Sequence, residues 1–353
     1  MRAVVFTVLV GLGLLGCADD LPKATEIARM RVLGAQLSVV GDKTRTTPKP
    51  GESVRVHLPV VFPSLADDRA QLQTLLITCT APDRFTGGLP ICQELIDAAQ
   101  QQGGTAGLTL PKGFPDRFEC NSTFSTPPIG PLSLNCARGE PDFTFVVPKD
   151  YAADELLFAG VVCEQGKAVL DPKLPGLFGC QDNKGEAIAL HGLVHVQYAA
   201  GDANHNPDLG ALRIELQENG EWSRADPATL LPENEASCSP ITREDKGDRV
   251  LPGIVGDLPL QLLYDGDVRE EYMGEPEPLE LTVYATAGEL ERRFTLFDAS
   301  DEGELHDTLH WRAPDFDKLP DGGQLVRFFV TVRDERGGFG MANYALCSKQ
   351  SRN

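Results

Sequence analysis

The chain has 353 residues, enough for two domains of ordinary size, and a formal net charge of −20 from 52 acidic against 32 basic side chains. A surface that acidic repels phosphodiester backbones and anionic headgroups, which excludes a nucleic-acid partner. It attracts cations and basic partners instead.

The first element is MRAVVFTVLVGLGLLGC. Arg2 supplies a short positive n-region, and Ala3 to Leu15 form an uncharged apolar run of signal-peptide length. Ala18-Asp19-Asp20 cut the run short of the roughly 20 residues that a spanning helix needs. Leu14-Leu15-Gly16-Cys17 resembles the lipobox of bacterial lipoproteins. The resemblance implies diacylglycerol on the Cys17 sulfur, cleavage before Cys17 and acylation of the new amino group. Residues 1–16 are then a lipoprotein signal peptide, and residues 17–23 an acylated N-terminus and tether. Ala18, directly after the cysteine, implies export to the outer membrane of the cell envelope. The other reading of the segment is an ordinary secretory signal with an incidental cysteine.

Beyond the tether the apolar pattern has period two, the strand period. Pro48-Lys49-Pro50-Gly51 is turn chemistry, and after it Val54, Val56, Leu58 and Val60 fall on one face, Ser53, Arg55 and His57 on the other. QTLLITC sets Leu75, Ile77 and Cys79 on one side. One helix is expected, from Ile91 to Gln102, stopped by Gly103-Gly104 inside a loop-rich insertion. Phe143 to Val147, DELLFAGVVC and EAIALHGLVHVQY supply further strands. Residues 24–200 therefore read as a decorated β-sandwich, and 201–207 as a linker.

From 208 to 353 the style repeats. Leu279, Leu281, Val283 and Ala285 alternate with Glu280, Thr282, Tyr284 and Thr286. Val326, Phe328, Val330 and Val332 alternate with Arg327, Phe329, Thr331 and Arg333, and Asp334-Glu335-Arg336-Gly337-Gly338 then reads as a hairpin loop before a return strand, Met341 to Cys347. Trp311-Arg312-Ala313-Pro314, Gly322-Gly323 and Val332-Arg333-Asp334-Glu335-Arg336-Gly337 resemble the last strands of bacterial Ig-like domains of the PKD or cadherin-like kind. The resemblance implies an all-β chain of two tandem Ig-like sandwiches, with Trp311 in a core. The arrangement also resembles a family of envelope lipoproteins, a likeness that brings no activity with it.

Apart from Cys17, eight cysteines remain: Cys79, Cys92, Cys120, Cys136, Cys163, Cys180, Cys238 and Cys347. An even number in an exported chain predicts disulfides, although eight allow 105 pairings. Cys238 and Cys347 stand alone in the C-terminal half and suggest one pair; Cys120 and Cys136 bracket a Pro-rich loop and suggest another. No Cys-x-x-Cys occurs, which disfavours a zinc ribbon or a redox site of the thioredoxin type.

GDANHNPDL joins the two halves and resembles the calcium-binding linkers of cadherins. That likeness implies Asp202, Asn204, Asn206 and Asp208 as calcium ligands; the plainer reading is a polar interdomain turn. His191/His195 and His306/His310 have the i, i+4 spacing that chelates zinc on a helix. Both pairs lie in strand-like runs, where four residues span about 13 Å, so solvent-facing histidines are expected and no zinc site is assigned. Asp265-Gly266-Asp267 reads as a β-turn and Asp315-Phe316-Asp317 as a loop rather than as paired catalytic carboxylates. No Gly-x-Ser-x-Gly elbow, phosphate loop or dinucleotide-binding glycine motif is present. The sequence thus points to a lipid-anchored, disulfide-bonded, non-catalytic binding or structural module without a cofactor. Its partner would be an envelope or extracellular protein or a polysaccharide. The rivals are an envelope enzyme whose site forms in the fold, and a calcium-stiffened adhesion module.

Overall fold

Turn chemistry starts the first long strand. In Lys49-Pro50-Gly51-Glu52 the Glu52 N–H donates to the Lys49 carbonyl at 3.0 Å, and Gly51 takes φ +89°, the left-handed position that a type II turn gives to glycine. Arg45 grips the turn, donating to both Glu52 carboxylate oxygens at 2.7 and 2.8 Å. Strand Ser53–His57 follows, and Val54, Val56, Leu58 and Val60 enter one apolar cluster, as the alternation predicts.

The computed structural model describes residues 25–64, 72–80, 118–119, 122–124, 130–136, 141–164, 166–170, 178–181, 187–199, 201–218, 221–225, 257–314 and 323–348. Within them the protein is all-β, with four larger sheets and three two-stranded ribbons, and strand pairing is mostly antiparallel. The expected helix, Ile91 to Gln102, lies outside the described residues, as do Cys17, Cys92, Cys120, Cys238 and Asp315-Phe316-Asp317.

Two sheets serve the N-terminal half. One runs Ala187–His195, Glu155–Cys163, Leu72–Thr80, Gly130–Cys136, Phe118–Glu119; the other runs Gln36–Val39, Ser53–His57, Asp142–Val146, Ser122–Phe124. Phe118–Glu119 and Ser122–Phe124 join as parallel strands. Val56, Phe143 and Phe145 of one sheet and Leu156, Phe158 and Val194 of the other share a single buried cluster. Cys163 and Cys180 form a disulfide that ties the Lys167–Leu170/Phe178–Gln181 ribbon to the end of strand Glu155–Cys163. Cys79, Cys136 and Cys347 lie on paired strands. Each of the two suggested pairs, Cys238 with Cys347 and Cys120 with Cys136, includes a residue outside the described ones.

The C-terminal half repeats the plan. One sheet runs Glu221–Ala225, Leu212–Glu218, Asp257–Asp265, Glu304–Arg312, Glu289–Leu290, and the other Phe294–Phe297, Leu279–Ala285, Gln324–Asp334, Phe339–Ser348. Leu260, Leu309 and Trp311 of the first meet Leu281, Phe328 and Val330 of the second in one cluster. Asp265-Gly266-Asp267, expected as a β-turn, opens a single 3₁₀ turn over Gly266–Val268, with the Asp265 carboxylate accepting from the Asp267 N–H at 3.1 Å. His306 and His310 face solvent on strand Glu304–Arg312.

One departure from simple alternation shapes the molecule. The second face of strand Gln324–Asp334 is buried as well: Arg327, Phe329 and Thr331 are each 4 % exposed or less. Ile27, Leu33 and Val61 from the N-terminal half pack there on Tyr284 and Phe329, with Met341 alongside. Arg327 donates to the Phe62 carbonyl and Arg333 to that of Leu33, so the arginines on this face satisfy backbone acceptors across the contact.

Phe158 and Gly192 are cross-strand partners, and the Phe158 ring lies over the glycine. A Cβ on residue 192 would meet the ring at 2.0 Å, closer than any real contact. Gly192→Ala should therefore cost about 1–3 kcal/mol through overpacking. Urea unfolding checks this, with Ala189→Gly, at an exposed position of the same strand, as the comparison.

Candidate functional site: the cleft between the two halves

The linker that resembles a calcium site is stitched into both halves by its own polar groups. Asn204 is fully buried; its N–H donates to Thr47 Oγ1 at 3.1 Å, and its carbonyl accepts from the Thr46 N–H at 2.8 Å. Asn206 spends both amide atoms: Nδ2 donates to the Leu37 carbonyl at 2.7 Å, and Oδ1 accepts from the Phe339 N–H at 2.9 Å. Asp208 caps the 3₁₀ turn Leu209–Ala211 by accepting from the Gly210 N–H at 2.8 Å, and Asp202 is exposed. Among the described residues, no three His, Cys, Asp or Glu side chains converge as metal ligands. His205, which stands where cadherin linkers carry an aspartate, meets Glu270 twice: its N–H donates to Oε2, and Nδ1 lies 2.9 Å from Oε1.

Opposite the linker is the loop after strand Gln324–Asp334. Asp334 Oδ1 accepts from the Gly338 N–H at 2.7 Å, the Arg336 N–H at 2.9 Å and Asn204 Nδ2 at 3.4 Å. Gly337 takes φ +92°, and Gly338 is a glycine for lack of room, since a Cβ there would strike the Asp334 carboxylate and the His205 carbonyl. Arg336 reaches back to Glu277 through Nε, lies 3.1 Å from Glu270, and stacks its guanidinium 4.4 Å from the centre of the Tyr272 ring. Burial pushes the Asp334 carboxyl up to about 6, and the Glu277 charge adds to the rise against the hydrogen bonds it accepts. This cluster of Asp334, Arg336, Glu270 and Glu277 was not readable as a site. Asp334 looks like an ordinary hairpin residue, and the glutamates belong to the acidic run REEYMGEPEP.

Beside that joint opens a cleft of about 660 Å³. Leu33 and Gly34 line one wall, Leu190 and Leu193 another, and the loop from Arg333 to Phe339 a third. Gly34 lets the Phe339 ring come close to the backbone, where a Cβ would clash at 2.4 Å. His195, expected to face solvent, is half-buried among the cleft-lining residues, with Nδ1 3.4 Å from Glu155. Strand Ala187–His195 is an edge strand. Among the described residues it pairs with Glu155–Cys163 alone, and its Ala189, Leu190, Gly192, Leu193 and His195 line the cleft. Such an arrangement can hold an extended or apolar ligand by backbone pairing and burial. Of its charged groups, Asp334 accepts from the Gly338 and Arg336 N–H groups and from Asn204, and Arg333 donates to the Leu33 carbonyl. No protein-family model matches the chain, and no curated protein is significantly similar to it.

Proposed function

We propose that the chain is a lipid-anchored protein of the cell envelope, held in the outer membrane through Cys17, with two tandem Ig-like sandwiches over 24–200 and 208–353. It works as a non-catalytic binding or structural module. The observation that carries the reading is the cleft: the apolar side chains of Leu33, Leu37, Leu58, Leu190 and Leu193 line it beside strand Ala187–His195. Apolar walls beside a strand are the make-up of a recognition surface. The cleft lies where the linker is pinned, so a partner there meets both halves in a fixed relation. An envelope or extracellular protein, or a polysaccharide, is the class of partner it suits.

The anchoring half of the reading has a direct test. Cells expressing the chain and its Cys17→Ala form are fractionated, and the outer-membrane pool is measured by immunoblot. The parent should partition with the membrane, while Cys17→Ala loses most of that pool to the soluble or unprocessed fractions. A parent chain found soluble after export would sink the anchor.

A further inference from the structure

Strand Phe294–Phe297 is the outermost strand of its sheet. Among the described residues it pairs with Leu279–Ala285 alone, from Leu279↔Phe297 to Thr282↔Phe294. One step beyond, the Val283 N–H donates to the Arg293 carbonyl at 3.3 Å, so Val283 and Arg293 are a hydrogen-bonded pair. Antiparallel ladders alternate bonded with non-bonded pairs. Thr295 and Phe297 therefore spend their backbone groups on the sheet, while the N–H and C=O of Phe294 and Leu296 point away from it. Sheet edges are usually blunted by lysine, proline or a covering segment. Here the two residues with outward backbone groups carry large apolar side chains, 54 % and 55 % exposed.

The same strand lines a groove of about 620 Å³ together with Glu304–Asp307 of the facing sheet. Asp301, Glu302 and Arg292 also belong to its lining. Arg292, its single arginine, is spent on the Asp307 carboxylate and, at 2.7 Å, on the Thr308 carbonyl. Thr295 Oγ1 donates to the same Asp307 carboxylate, and Arg213 meets Glu304 from outside the groove. That leaves two carboxylates without a cation among the described residues: Glu302 is exposed, and Asp301 accepts the Asp298 N–H at 2.8 Å. No lysine lines the groove. Its field is negative and draws cations.

We propose that this edge and groove bind an extended cationic segment of a partner protein, one in which apolar residues alternate with lysine or arginine. The segment adds as a fifth strand, bonded to the backbone of Phe294 and Leu296. Side chains of paired strands share faces with period two. The apolar residues of the segment then cover Phe294 and Leu296, and its basic residues fall on the face of Thr295, where the Asp307 carboxylate stands. The groove shares no lining residue with the cleft, so the protein carries a second binding surface of different chemistry.

The test is fluorescence polarisation with a labelled heptapeptide of alternating lysine and valine, titrated with the full chain. The parent should bind it about tenfold more tightly than a lysine–serine peptide of equal charge, and should not bind a glutamate–valine peptide. Leu296→Pro removes an outward N–H and no ladder bond, so the chain should fold while affinity falls about tenfold. Glu302→Lys, at an exposed side chain, should cost about threefold. Circular dichroism of both variants should match the parent. Equal affinity in the parent and a folded Leu296→Pro overturns the strand edge, and equal affinity for the two lysine peptides overturns the apolar face. Binding that Glu302→Lys leaves unchanged overturns the acidic groove. A parent that does not bind the lysine–valine peptide overturns the proposal outright. A parent dimer in sedimentation that Leu296→Pro dissociates makes a second copy the occupant and overturns the cationic partner.

Discussion

Replacing Trp311 by alanine should destabilise the C-terminal half by about 3–5 kcal/mol, the range for truncating a buried large aromatic side chain. Trp311 has no exposed surface and belongs to the cluster shared by the two C-terminal sheets. Its ring meets Phe328 edge-on at 5.3 Å and 76°, and its Nε1–H donates to the Ala287 carbonyl at 3.0 Å. Gly288, at φ +80°, is pressed against the indole so closely that a Cβ would lie 2.4 Å from Nε1. Truncation would leave a cavity between the sheets and a buried carbonyl without its donor, two separate costs. Urea unfolding should show a fall in midpoint with little change of slope. Trp311→Phe keeps most of the volume and should lose less. Equal losses in the two variants would mean that the indole N–H, not the packing, carries the effect.

The core place of Trp311 was an implication of the likeness of Trp311-Arg312-Ala313-Pro314 to Ig-like modules, and the residue is buried. Val54, Val56, Leu58 and Val60, and Val326, Phe328, Val330 and Val332, were legible from a local rule: each set alternates, and each lies in one cluster. The turn at Gly51 and the loop at Gly337 followed from glycine's access to positive φ. What the pattern hid was the second face. Phe329 and Tyr284 sit at positions that alternation assigns to the outside, and they were the available sign that this face is covered too. Their cover comes from Ile27, Leu33 and Val61, more than two hundred residues away in sequence, and periodicity carries no information about such a contact. The joint was hidden for the same reason. Asn204 and Asn206 resemble calcium ligands in sequence, while their partners, Thr47, Leu37, Asp334 and Phe339, are set by the docking of the two halves.

That joint contains the second large effect. Asp334→Asn should stabilise the protein at about pH 7.5 by on the order of 3 kcal/mol, and the gain should vanish toward pH 4. Folding raises the Asp334 carboxyl from 3.8 to about 6, chiefly by burial, so between those values the native state holds a proton that the unfolded chain has released. A raised pKa contributes stability below the unfolded value, and that contribution is lost as pH rises through about 6. At neutral pH the protein therefore carries a buried carboxylate facing Glu277, with Arg336 and the Asn204 amide as its favourable neighbours. Asparagine keeps an oxygen for the N–H groups of Arg336 and Gly338 and has no charge to desolvate. The comparison must be variant against parent at each pH, because Asp142, held low against its burial by His57 and Arg55, loses its contribution as pH falls, in the opposite direction. Unfolding midpoints measured from pH 4 to 8 should give curves that meet at the acid end and separate through pH 6. Parallel curves would show that Asp334 titrates as an ordinary carboxylate and that the joint is wet. Separation through the stated window would show that the loop after strand Gln324–Asp334 and the linker at Asn204 close over a charge, which ties the stability of this joint to pH.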